Sequence, residues 1–122
     1  MSKDFPEKLS IITASQNFTN AFADVGSEID VSGYEGLAIW ANVTKNDSSG
    51  LSIRILYKLS AGATDEYAIS QDENIFQLLD QDQKVMIPIK IFPFVPIVQI
   101  QIKANSVGTT PAALASLVAT RY

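Results

Sequence analysis

Thirteen carboxylates are the main acid–base resource of a chain that contains no histidine and no cysteine. Two carboxyl groups flanking one bond are the device by which glycosidases work. Glu28 and Asp30 share a strand face, Asp65-Glu66 and Asp72-Glu73 are adjacent, and Asp80 and Asp82 stand two apart in a polar stretch. Adjacent strand residues point to opposite faces of a sheet. The remaining pairs fall in segments that read as loops, so nothing aims two carboxyls at one substrate and solvated loop charge is the preferred reading. The missing imidazoles remove the Ser-His-Asp triad and the usual ligand of zinc, copper or non-haem iron. The missing thiols remove disulfides, thiolate metal sites and a cysteine nucleophile. We expect no catalytic residue and no enzyme activity.

Calcium would need several oxygens in a short loop, as Asn46-Asp47-Ser48 or Asp80-Gln81-Asp82 offers, but neither has the spacing of a calcium loop. Turn formation explains both clusters better. Neither phosphate-binding glycine motif occurs, and the glycines at 33, 36 and 62 precede no amphipathic helix. No metal and no cofactor are therefore expected. Sequons at Asn17, Asn42 and Asn46 carry no expectation of glycosylation without a secretory leader.

Aromatic side chains are the remaining route to binding. Trp40, with Asn42 beside it and Arg54 expected across from it, would form a small ligand patch or a cation–π pair. Tyr34 or Tyr57 would extend it into a platform for a pyranose ring. A tryptophan on a central strand is more often covered by core, loop or neighbouring chain, so a carbohydrate-binding module is the alternative reading. Phe5, Phe18, Phe22, Phe92 and Phe94 lie in or beside loop-like segments, where apolar side chains serve as anchors between subunits.

The elements that position these residues follow a period of two. Leu51, Ile53, Ile55, Tyr57 and Leu59 alternate with Ser52, Arg54, Lys58 and Ser60, which describes a half-buried strand. Leu37, Ile39, Ala41 and Val43 alternate in the same way with Ala38, Trp40, Asn42 and Thr44. The turn formers of residues 45–50 between the two runs predict an antiparallel hairpin. In it Val43 would face Leu51 or Ile53, and Trp40 would sit opposite Arg54 or Leu56. Leu9–Ala14, Ser27–Val31, Glu66–Ser70, Lys84–Phe92 and Ile97–Ala104 are further strand candidates. Residues 74–79 fit a helical turn as well as a strand. Thr110-Pro111 resembles a helix start, yet Leu114, Ser116, Val118, Thr120 and Tyr122 alternate with Ala115, Leu117, Ala119 and Arg121, and a closing strand is favoured. The fold class is thus all-β: an antiparallel two-sheet β-sandwich, jelly-roll-like, of seven or eight strands.

A length of 122 residues with 47% hydrophobic content fits one core. We divide it into an extended N-terminal arm, residues 1–8, and one sandwich domain, residues 9–122. The net charge of −4 disfavours a nucleic-acid partner. The charged, proline-bearing start does not read as a signal peptide. The apolar stretch from Val85 to Ile102 carries Lys90, Gln99 and Gln101 and is broken by three prolines, so it reads as two strands and a turn, with no membrane span.

The runs from Val31 to Val43 and from Leu51 to Ser60, then Met86-Ile87-Pro88-Ile89, then Val98 to Ala104, resemble small jelly-roll β-sandwich proteins of tailed-phage particles. The resemblance spans most of residues 27–122 and rests on loose alternation. It implies a structural protein of the virion, a capsid decoration or a head, neck or tail component, made in the host cytoplasm. Its partners would be other virion proteins and copies of itself. It also implies a similarity in outline to galactose-binding-like modules, and it brings no active site.

Overall fold

The computed structural model describes residues 7–13, 16–44, 51–67, 75–77, 83–104 and 113–122. Among them every regular element is a strand: β1 (Glu7–Ile12), β2 (Gln16–Asn17), β3 (Ala23–Asp24), β4 (Ile29–Asp30), β5 (Leu37–Thr44), β6 (Leu51–Lys58), β7 (Ile75–Gln77), β8 (Gln83–Ile89), β9 (Ile97–Ala104) and β10 (Ala113–Arg121). All pairings among these strands are antiparallel. One sheet has the order β1-β10-β5-β8, with β2 also on β10; the other has the order β3-β9-β6-β7, with β4 also on β9.

Because β1 and β2 run in series along β10, and β3 and β4 along β9, the ten pieces amount to eight strands in two four-stranded sheets. In chain order the first, eighth, third and sixth strands form one sheet, and the second, seventh, fourth and fifth form the other. A long antiparallel ribbon rolled into a double layer produces this order, which makes the protein a jelly-roll sandwich.

The inner rows are those the alternation selects. Leu37, Ile39, Ala41 and Val43 of β5 face Leu51, Ile53, Ile55 and Tyr57 of β6 and Val98, Ile100, Ile102 and Ala104 of β9 in one core. The partners differ from expectation. β5 and β6 are not a hairpin: they belong to different sheets, and Trp40 pairs with Met86 and Val118 while Arg54 pairs with Gln101 and Ile75. A period of two specifies which face a side chain takes, and two runs with apolar inner faces satisfy it equally well side by side or stacked across a core.

Three smaller corrections have local causes. A bulge between Leu114 and Ser116 reverses the alternation of β10, so Leu114 joins Leu117 and Ala119 in the core and does not share a face with Ser116 and Val118. β6 is not half-buried, since Ser52, Leu56 and Lys58 on its second face are buried too. Leu59 lies beyond the end of β6 and is exposed. Residues 75–77 form a strand on β6, and 113–121 form the closing strand. β1 takes in Glu7 and Lys8, which pair with Arg121 and Thr120.

Candidate functional site

Trp40, Met86 and Val118 are lateral neighbours on the outer face of the β8–β5–β10 sheet, because the pairings Trp40–Met86 and Trp40–Val118 put all three on one pleat. The β10 bulge turns Ser116 and Val118 outward here, and alternation along β8 turns Lys84 outward. The result is a groove of about 460 Å³ whose lining includes Trp40, Asn42, Lys84, Met86, Ser116 and Val118. The indole Nε1 of Trp40 donates to Thr120 Oγ1 at 2.9 Å, so the ring is held in one orientation while remaining 47% exposed.

Arg54 does not join this patch. It lies on the other sheet, where its Nε donates to Gln101 Oε1 at 3.1 Å and the Gln101 amide donates to Asp24 Oδ1 at 2.7 Å. Its guanidinium sits 4.2 Å from the centroid of the Phe22 ring, with Lys103 Nζ 5.0 Å from the same centroid. Neither tyrosine extends the Trp40 platform. Tyr34 donates its hydroxyl to Glu7 Oε2 at 2.8 Å beneath the guanidinium of Arg121, which is 4.4 Å from its ring centroid. Tyr57 is a core residue whose hydroxyl donates to Lys90 O at 3.2 Å, and burial raises its pKa.

The phenylalanines separate by environment. Phe18 is 6% exposed and part of the core, so it offers no surface to a neighbour. Phe22 is engaged by the two cations just described. Phe92 is half-buried, edge-on to Tyr57 at 5.5 Å and stacked with Phe94 at 5.6 Å. Phe94 is 75% exposed, and Leu59 at 66% and Tyr67 at 51% are likewise open to solvent. A hollow of about 240 Å³ opens among Tyr57, Leu59, Tyr67, Phe94 and Val95. Phe5 lies outside the described residues, as do the turn clusters 46–48 and 80–82 and the pair Asp72-Glu73.

Five of the described carboxylates, Glu7, Asp24, Glu28, Asp30 and Glu66, serve as ties. Lys58 Nζ lies 2.6 Å from Glu28 Oε2 and 3.7 Å from Glu66 Oε2, and the Gly62 amide donates to Glu28 Oε1 at 2.9 Å. The hydrogen bond from Lys58, then that from Gly62, holds the Glu28 carboxyl below its ordinary range, and the same Glu28 bond pushes Lys58 up. Asp30 accepts from the Ser32 amide at 2.8 Å, which lowers its pKa. Arg121 bridges Glu7 at 2.5 Å and also donates to the Asp30 carbonyl. Among the described residues no group of three or more acidic side chains is placed to hold a metal ion, and no helix is long and apolar enough to cross a membrane.

No family model and no curated protein matches the chain. Among solved structures, it is similar to a chain of the infectious bursal disease virus Gt strain, with a TM-score of 0.46 and 12% identity. The match covers 98% of this chain but 34% of that one, so the protein spans about a third of that chain's length.

Sequence reasoning selects Trp40 and Asn42 but misses Lys84, Met86, Ser116 and Val118. Alternation puts Lys84 and Met86 on one face of β8, but the bulge in β10 breaks it for Ser116 and Val118, and only the β5–β8 and β5–β10 registers bring the four to Trp40.

Proposed function

We propose that the protein is a non-enzymatic structural component of a phage virion, a capsid decoration or a head, neck or tail component, acting through contacts with other virion proteins and copies of itself. The observation that carries this reading is the cluster of Leu59, Tyr67 and Phe94, three large apolar side chains more than half exposed around a hollow on the surface. Stable monomers seldom expose such side chains together, whereas interfaces concentrate them. The jelly-roll order supports the reading, since capsid domains are a recurring use of that architecture. The sequence resemblance to tailed-phage particle proteins points the same way. A net charge of −4 would keep free copies dispersed until they dock.

Sedimentation of the purified protein, alone and mixed with empty phage particles, tests the proposal. Co-sedimentation that is lost in Phe94→Asp, with the circular dichroism of the variant unchanged, supports it. A wild-type protein that stays monomeric and ignores particles overturns it.

A further inference from the structure

We propose that the groove on the outer face of the β8–β5–β10 sheet binds a pyranose sugar that carries a carboxylate, with Trp40 as the stacking platform and Lys84 as the partner of the carboxylate. This goes beyond the structural role above, and the groove shares no lining residue with the hollow around Phe94.

Shape comes first. A volume of about 460 Å³ lies within the range of small-molecule sites. The platform is already rigid, because the bond from Trp40 Nε1 to Thr120 Oγ1 and the flanking pairs with Met86 and Val118 hold the indole in place. A ring immobilised beforehand loses little rotamer freedom when a ligand stacks on it. An exposed indole face matches the C–H face of a pyranose, and the polar groups beside it match the hydroxyls. Asn42 offers both a carbonyl oxygen and an amide, and Ser116 a hydroxyl that donates or accepts.

Charge then selects the class of sugar. Among the described residues Lys84 is the one charged side chain lining the groove, in a chain of net negative charge. A single ammonium is a poor match for a polyphosphate backbone, which is held by many cations at once. It suits a compact anion fixed at one edge of a stacked ring, which is what a uronic or sialic acid presents.

The chain contains a single tryptophan, so its fluorescence reports on this groove alone. The wild-type protein would be titrated with methyl β-D-glucuronide, the methyl glycoside of N-acetylneuraminic acid, and methyl β-D-glucoside as the neutral control. A saturable change in Trp40 emission is expected, with at least one acidic sugar bound at about 1 mM, the range of a single small contact surface. Lys84→Gln should weaken that binding about 5-fold, as loss of an exposed ion pair allows, and leave the glucoside unchanged. Trp40→Ala should abolish binding, followed by saturation-transfer NMR of the sugar, while Trp40→Phe, which keeps a ring, should retain part of it. Absence of saturation by both acidic sugars at about 50 mM, fifty times the expected constant, overturns the proposal. So does equal affinity for acidic and neutral sugars that Lys84→Gln leaves unaltered. An emission that shifts with protein concentration alone, coincident with dimerisation, would assign the groove to a second copy and overturn it as well.

Discussion

Replacing Gly26 by alanine tests how the two sheets meet along their first edge. Gly26 lies between β3 and β4 with φ +72°, and an added Cβ would stand 2.6 Å from Ile11 Cγ2 on β1, a strand of the opposite sheet. The left-handed backbone costs a non-glycine residue about 1–2 kcal/mol. Forcing a methyl group against the half-buried Ile11 adds about 1–3 kcal/mol. The combined loss, about 2–5 kcal/mol, is a large share of the roughly 5–15 kcal/mol available to a domain. Gly33→Ala is the matched control, because its φ is +76° yet no described atom lies within 4 Å of its added Cβ. Its loss should stay near the backbone cost alone, about 1 kcal/mol, partly offset by the stiffer unfolded chain. Urea unfolding followed by circular dichroism would measure both. Adding Ile11→Ala to Gly26→Ala should recover part of the steric loss, a coupling that independent sites would not show. Equal losses for Gly26→Ala and Gly33→Ala, with no such coupling, would refute the apposition of β1 with the β3–β4 segment.

Other outcomes follow from burial and charge. Phe18→Ala should cost about 3–5 kcal/mol as a core truncation, whereas Phe94→Ala should change unfolding stability by less than about 0.5 kcal/mol; both are read from urea midpoints. The carboxyls of Glu28 and Asp30 have lowered pKa values in the folded chain, so the stability they contribute is present above the ordinary carboxylate range and is lost as pH falls through their folded values. Lys58 is shifted upward, so its contribution holds below the ordinary lysine range and disappears as pH rises through its folded value. Thermal midpoints measured from acid to alkaline pH should therefore plateau at neutrality. Lys58→Met should lower the midpoint most on that plateau and least in acid, where Glu28 is protonated and no longer needs a partner.

Several details of the candidate sites are legible in the residue pattern itself. Trp40 and Asn42 alternate with Leu37, Ile39, Ala41 and Val43, so their outward direction follows from the pleat. The exposure of Phe94 follows from its place between two prolines in a loop. The pattern misplaces Arg54, because a loop of turn formers suits a hairpin and an arch between sheets alike. Phe18 is illegible for a different reason: two-residue strands such as β2 and β3 are too short to show any period, and a phenylalanine between them looks like part of a loop.

Residue type and spacing establish the class of the protein: β-rich, with the inward rows Leu37, Ile39, Ala41, Val43 and Leu51, Ile53, Ile55, Tyr57, and without imidazole or thiol side chains. These properties are local, and a linear chain displays them directly. Which strands became neighbours is settled only in the folded molecule. Met86 reaches Trp40 across the β5–β8 register and Val118 reaches it across the β5–β10 register, whereas Arg54 is carried into the other sheet. A strand's partner is chosen by the packing of whole sheets against a shared core, and no pattern within eight or nine residues contains that information.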